Sequence, residues 1–107
     1  MEVERITFER EGGFAGLHIT TNFKPSDLPE DQAKTLAELL DELDFDALPE
    51  QAMNNPSLPD QFTYRITVET KDTEHRVVTG DISAPEEMQE LLQLLNRIAR
   101  TQMRKNQ

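Results

Sequence analysis

The eight residues "FTYRITVE" (62–69) constrain the fold more than any other stretch. Phe62, Tyr64, Ile66 and Val68 alternate with Thr63, Arg65, Thr67 and Glu69. In an extended chain the four apolar side chains therefore share one face and the polar ones the other. Aromatic and β-branched residues also suit a pleated, half-buried surface. Such a strand needs neighbours to pair with and a second layer over its apolar face. The polar run "TKDTE" (70–74) turns the chain, and "HRVVTG" (75–80) supplies the partner, giving a β-hairpin over 62–80.

A second alternating pair flanks "EGGFAG", which holds three of the chain's four glycines. Ile6 and Phe8 precede it and Leu17 and Ile19 follow. Glycine reaches φ > 0 without steric cost, so residues 1–23 read as a hairpin with a glycine-rich turn. Elsewhere the period lengthens to that of a helix. Ala33, Leu36, Ala37, Leu40 and Leu43 form one stripe, and Asp27 with Glu30 has capping-box spacing around Pro29, which predicts a helix over 27–46. Ser83 and Glu86 repeat that spacing ahead of Met88, Leu91, Leu92, Leu95, Ile98 and Ala99, which predicts a second helix over 83–103. Leucine stripes this short, broken by strands, indicate core packing in preference to a coiled coil.

The order ββαββα, with one apolar face per strand, predicts an α+β fold of two layers. A four-stranded, mostly antiparallel sheet should carry both helices packed on one face. At 107 residues the chain fits one domain with one modest core. Residues 48–61, "LPEQAMNNPSLPDQ", hold three prolines and two asparagines without periodicity and read as a loop. A loop of this length in a small domain is often functional. Leu58, between Ser57 and Pro59, is its conspicuous apolar side chain.

The formal net charge of −10 opposes binding to nucleic-acid phosphates or anionic lipid. Acidic residues crowd between Asp27 and Glu50, whereas nothing acidic follows Glu90 and Arg97, Arg100, Arg104 and Lys105 do. That pattern suits solvated helix faces and a basic helix end opposing its own dipole. The start, "MEVERITFER", lacks the apolar core of a secretory signal, and no window approaches the roughly 20 apolar residues of a membrane span. With no cysteine, neither disulfides nor thiolate metal sites are available. A soluble, cytoplasmic, monomeric protein is expected, without nucleic-acid or membrane partners.

Candidates for chemistry are few. His18 and His75 lie on different hairpins, and no second histidine stands at metal-ligand spacing. Asp41 with Asp44, or Glu38 with Glu42, shares a helix face, but carboxylates that perform acid–base chemistry face each other across a cleft. "EGGFAG" lacks the Lys-Ser/Thr pair and following helix of a phosphate loop. Neither catalysis nor a cofactor is expected.

Four blocks, "ITFEREGGFAGLHI" (6–19), "LDFDALP" (43–49), "PDQFTYRITVE" (59–69) and "APEEMQELLQLLNRI" (84–98), together resemble the emfourin family over nearly the whole chain. The most specific element is Phe-x-Arg-x-Gly-Gly-Phe-x-Gly, matched by Phe8, Arg10, Gly12, Gly13, Phe14 and Gly16. Emfourins are small cytoplasmic inhibitors of thermolysin-like zinc metallopeptidases, protealysin-like enzymes among them. The resemblance implies a single emfourin-like domain over 1–107 that blocks such a cleft by reversible binding. An inhibitor of this kind needs a stiff presented segment and an apolar anchor. Pro56, Ser57, Leu58, Pro59 and Asp60 are the expected contact segment, with Leu58 in a pocket, the prolines hindering cleavage, and Asp60 or a carbonyl approaching the zinc. Arg10 and Phe14 are further contact candidates, although the glycine turn reads first as hairpin geometry. The alternative is an acidic interaction module with no protease target, whose association would weaken strongly with salt.

Overall fold

The computed structural model of the protein describes residues 3–12, 17–50, 62–80 and 86–105. Its elements are β1 (Val3–Gly12), β2 (Leu17–Phe23), α1 (Glu30–Leu43), β3 (Phe62–Thr70), β4 (Glu74–Gly80) and α2 (Glu86–Lys105). Short 3-10 turns at Pro25–Asp27 and Phe45–Ala47 flank α1. The strands form one antiparallel sheet in the order β2-β1-β3-β4, and with the two helices this is the expected α+β fold.

Each hairpin contributes its first strand to the centre. Ile6 stands opposite Val68 and Phe8 opposite Ile66, so the large apolar side chains of β1 and β3 share a face. The register is thereby fixed, because a slip of one residue would turn that face to water. An irregularity between Val3 and Arg5 bends the start of β1. Phe23 on β2 and Val77 on β4 extend the same buried face outward.

Both helices cover it. Leu36, Leu39, Leu40 and Leu43 of α1 join seven buried apolar residues of α2, Met88 to Ala99, in one cluster with the strands. The buried stripes are broader than the periodicity predicts. Leu39 and Leu94 are buried as well, because each helix packs against the other in addition to the sheet, while Ala37 stays exposed on the outer flank of α1. The uncovered face of the sheet is polar. There Arg65 reaches Glu9 at 3.4 Å and Glu11 at 3.7 Å, and Arg76 Nε donates to Thr67 Oγ1 at 3.4 Å.

The start of α1 departs from the expected helix over 27–46. Asp27 does not cap the α-helix. Its carboxylate accepts the Lys24 N–H at 3.0 Å and closes the preceding 3-10 turn. Leu28 is extended, as the residue before a proline tends to be, and Pro29 occupies the N-cap with no side-chain hydrogen bond. The helix proper therefore begins at Glu30. The first described residue of the second helix is Glu86, so the predicted cap at Ser83 lies outside the described residues.

The far end of α1 is locked tightly. Asp44 adopts the left-handed conformation at φ 51° and donates its N–H to the Leu40 and Asp41 carbonyls. That turn drives Phe45 into the core, where it is fully buried. Phe45→Ala should lower unfolding free energy by about 3–5 kcal/mol in urea titration, the cost of emptying a filled aromatic site. Asp44→Gly should raise it by about 0.5–1 kcal/mol, since glycine reaches the left-handed region without a Cβ clash.

Candidate functional site

Strand order and antiparallel pairing bring four strand ends together. Gly12 stands opposite both Leu17 and Phe62, and Thr63 stands opposite Gly80. The connections 13–16, 51–61 and 81–85 therefore all attach at one end of the sheet. Among the expected contact residues, Phe14, Pro56, Ser57, Leu58, Pro59 and Asp60 lie outside the described residues. Their attachment points belong to this end, and Arg10 stands beside them.

The outgoing arm of segment 51–61 is pinned to the sheet edge. Val78 N–H donates to the Glu50 carbonyl at 2.7 Å, and His75 Nε2 donates to the Leu48 carbonyl at 2.9 Å. The imidazole also meets Phe45 edge-on, with centroids 5.6 Å apart. His75 thus has a structural task, holding Leu48 to Glu50 along the outer edge of β4. The sequence marks it only as a strand residue.

The returning arm begins at Phe62, and Arg10 holds it. The guanidinium lies 5.0 Å from the centre of the Phe62 ring, and its Nη1 donates to Asn96 Oδ1 at 3.3 Å. Asn96 in turn donates Nδ2 to the Leu92 carbonyl at 3.0 Å and to Tyr64 Oη at 3.4 Å. Arg10 therefore ties the end of β1 to the start of β3 and to α2. A cation over an aromatic face contributes about 0.5–1 kcal/mol at exposed sites and more when desolvated. Asn96 was not singled out by sequence reasoning. Its one signal is a polar residue set between Leu95 and Ile98 of the leucine stripe.

The described residues of the glycine motif build this end. Phe8 is buried and stacks on Tyr64 with centroids 5.4 Å apart. Gly12 has φ 113°, a conformation that a Cβ would oppose. His18, on β2, is exposed and 4.0 Å from the Glu11 carboxylate. No group of three His, Asp or Glu side chains is arranged to hold a metal among the described residues, and no helix there is long and apolar enough to cross a membrane.

The family model for emfourin matches residues 8–96. The chain belongs to the emfourin family. A solved structure described as "Emfourin (M4in) from Serratia proteamaculans, M4 family peptidase inhibitor" is 24% identical, covering 78% of this chain and 80% of that one at a TM-score of 0.40. No curated protein matches the sequence. The emfourin match begins at Phe8 and ends at Asn96, so it includes Arg10, Phe62 and the whole segment between the hairpins. Arg10→Gln should lower stability by about 1 kcal/mol, from the loss of the ring contact and of one charge-assisted hydrogen bond. Chemical denaturation checks the magnitude, and the Phe62 ring resonances should shift with it.

Proposed function

We propose that residues 1–107 form one emfourin domain that reversibly inhibits a thermolysin-like zinc metallopeptidase by obstructing its active-site cleft. The observation that carries this reading is membership of the emfourin family across residues 8–96. The geometry of the sheet end supports it. A segment held at both arms has less conformational freedom left to lose on binding, which favours affinity. Glu50 and Leu48 supply one anchor, and Phe62 under Arg10 supplies the other.

In this reading Leu58 fills the apolar pocket beside the scissile-bond position, and Pro56 and Pro59 stiffen the backbone around Ser57 against cleavage. Asp60 or a backbone carbonyl presents oxygen to the catalytic zinc, which accepts such ligands. Phe14 belongs to the connection between β1 and β2, whose attachment points, Gly12 and Leu17, are at the same end of the sheet. Arg10 acts in two ways: as a contact candidate, and through its hold on Phe62. The chain performs no reaction of its own, and its specificity is that of an obstructing surface.

Mixing the purified protein with thermolysin-like peptidases near equimolar ratio should slow cleavage of a peptide substrate. Full activity across several such enzymes would reject the proposal. Leu58→Ala should weaken inhibition by about 1–3 kcal/mol if the side chain fills a pocket, and unchanged affinity would remove the assignment of this segment alone. Phe14→Ser distinguishes the roles of the glycine turn. Lower thermal stability marks a packing role, while unchanged melting with weaker inhibition marks contact. If association instead proceeds without inhibition and collapses with added salt, the acidic-module reading replaces this one.

A further inference from the structure

The two edges of the sheet are treated differently. Leu48 to Glu50 runs along β4, but among the described residues β2 pairs only with β1, so every second residue of Leu17–Phe23 points its N–H and C=O away from the sheet. Exposed edges are usually guarded by proline, lysine, a bulge or a covering segment. β2, "LHITTNF", has no proline, lysine or register shift, and its described residues His18, Thr20 and Asn22 are exposed.

Beside this edge runs a groove of about 450 Å³ between the sheet and α2. Phe8 and Ile19 line the sheet side, and Arg97 and Arg100 line the helix side, with Arg10 at the inner wall. Arg97 and Arg100 are exposed and, among the described residues, have no ion-pair partner. In a chain of formal charge −10, three guanidinium groups around one groove reverse the local sign.

We infer that β2 and this groove bind an extended acidic peptide segment, which adds as a fifth strand to β2 and directs alternate carboxylates toward Arg97 and Arg100. Strand addition supplies main-chain hydrogen bonds for affinity, and side chains at every second position supply selectivity. The spacing is compatible. Residues i and i+2 of a strand lie about 6.8 Å apart on one face, and three residues of helix rise about 4.5 Å, a difference that long arginine side chains accommodate. Guanidinium groups pair with carboxylates through parallel hydrogen bonds, so a strand with acidic residues at alternate positions suits this wall. The inference does not depend on peptidase inhibition, because the described residues of the groove and edge belong to β1, β2 and α2, and of the proposed peptidase contacts they include Arg10 alone.

The test is titration of the ¹⁵N-labelled full chain with an acetylated, amidated peptide of alternating threonine and glutamate. Slowed hydrogen exchange at alternate amides of β2 is expected, with shifts at Ile19, Arg97 and Arg100. The same peptide with glutamine for glutamate should bind at least tenfold more weakly, as should the wild-type peptide to the Arg97→Gln/Arg100→Gln protein. A peptide N-methylated at alternate residues along its pairing edge should not protect β2. Absence of β2 protection, or equal binding of the glutamine peptide, would overturn the inference. So would β2 protection that rises with protein concentration alone, which would assign the edge to a second copy of the chain.

Discussion

The pairing of β1 with β3 governs the rest of the structure. It joins two hairpins through their first strands, sets Ile6 against Val68 and Phe8 against Ile66, and makes a single apolar face wide enough to need two helices. It also decides which ends meet. Because β1 arrives where β3 departs, the glycine turn, the segment between the hairpins and the approach to α2 all attach at one end of the sheet. A different central pair would have separated them. The proposed inhibitory surface thus follows from a register that hydrophobic burial enforces.

Charge is divided across the helical layer. α2 opens with Glu86 and Glu87 and carries Arg97 and Arg100 in its later turns, the arrangement that its dipole favours. α1 has no basic residue in its last turn and ends among Asp41, Glu42 and Asp44, which its dipole disfavours. Glu42, Glu86, Glu87 and Glu90 line one groove where the helices meet. That junction is held by burial of Leu39, Leu43 and Phe45, since its electrostatics oppose it. The acidic corner and the cationic groove beside β2 are therefore separate features of one helix pair.

Much of the scaffold was legible because its signals were local and strong. "FTYRITVE" reads as a strand from alternation alone, and the stripes of both helices follow their period. The start of α1 was misread because Asp27 and Glu30 have the spacing of a cap, whereas proline at position 29 forces Leu28 out of the helix and leaves Asp27 to the turn before it. Burial of Leu39 was missed because it reflects contact between helices, which a single-helix pattern does not contain. Strand order had no local signal. Nor did the bridge from Phe62 through Arg10 to Asn96, whose members are 34 and 52 residues from one another along the chain from Asn96 to Phe62 and from Phe62 to Arg10. Resemblance to the family rested on four blocks and most specifically on Phe8, Arg10, Gly12, Gly13, Phe14 and Gly16; of these six, Phe8, Arg10 and Gly12 are among the described residues, and they build the end of the sheet.

The strap formed by Leu48 to Glu50 has a consequence for assembly. Sheets grow into fibrils when each molecule offers two receptive sides, one to accept a neighbour and one to pass the pairing on. Here Val78 has already given its outward N–H to Glu50 within the same molecule. A molecule receptive on one side only acts as a terminator: a strand that adds at β2 finds no second open side to hand the pairing to, and growth stops there.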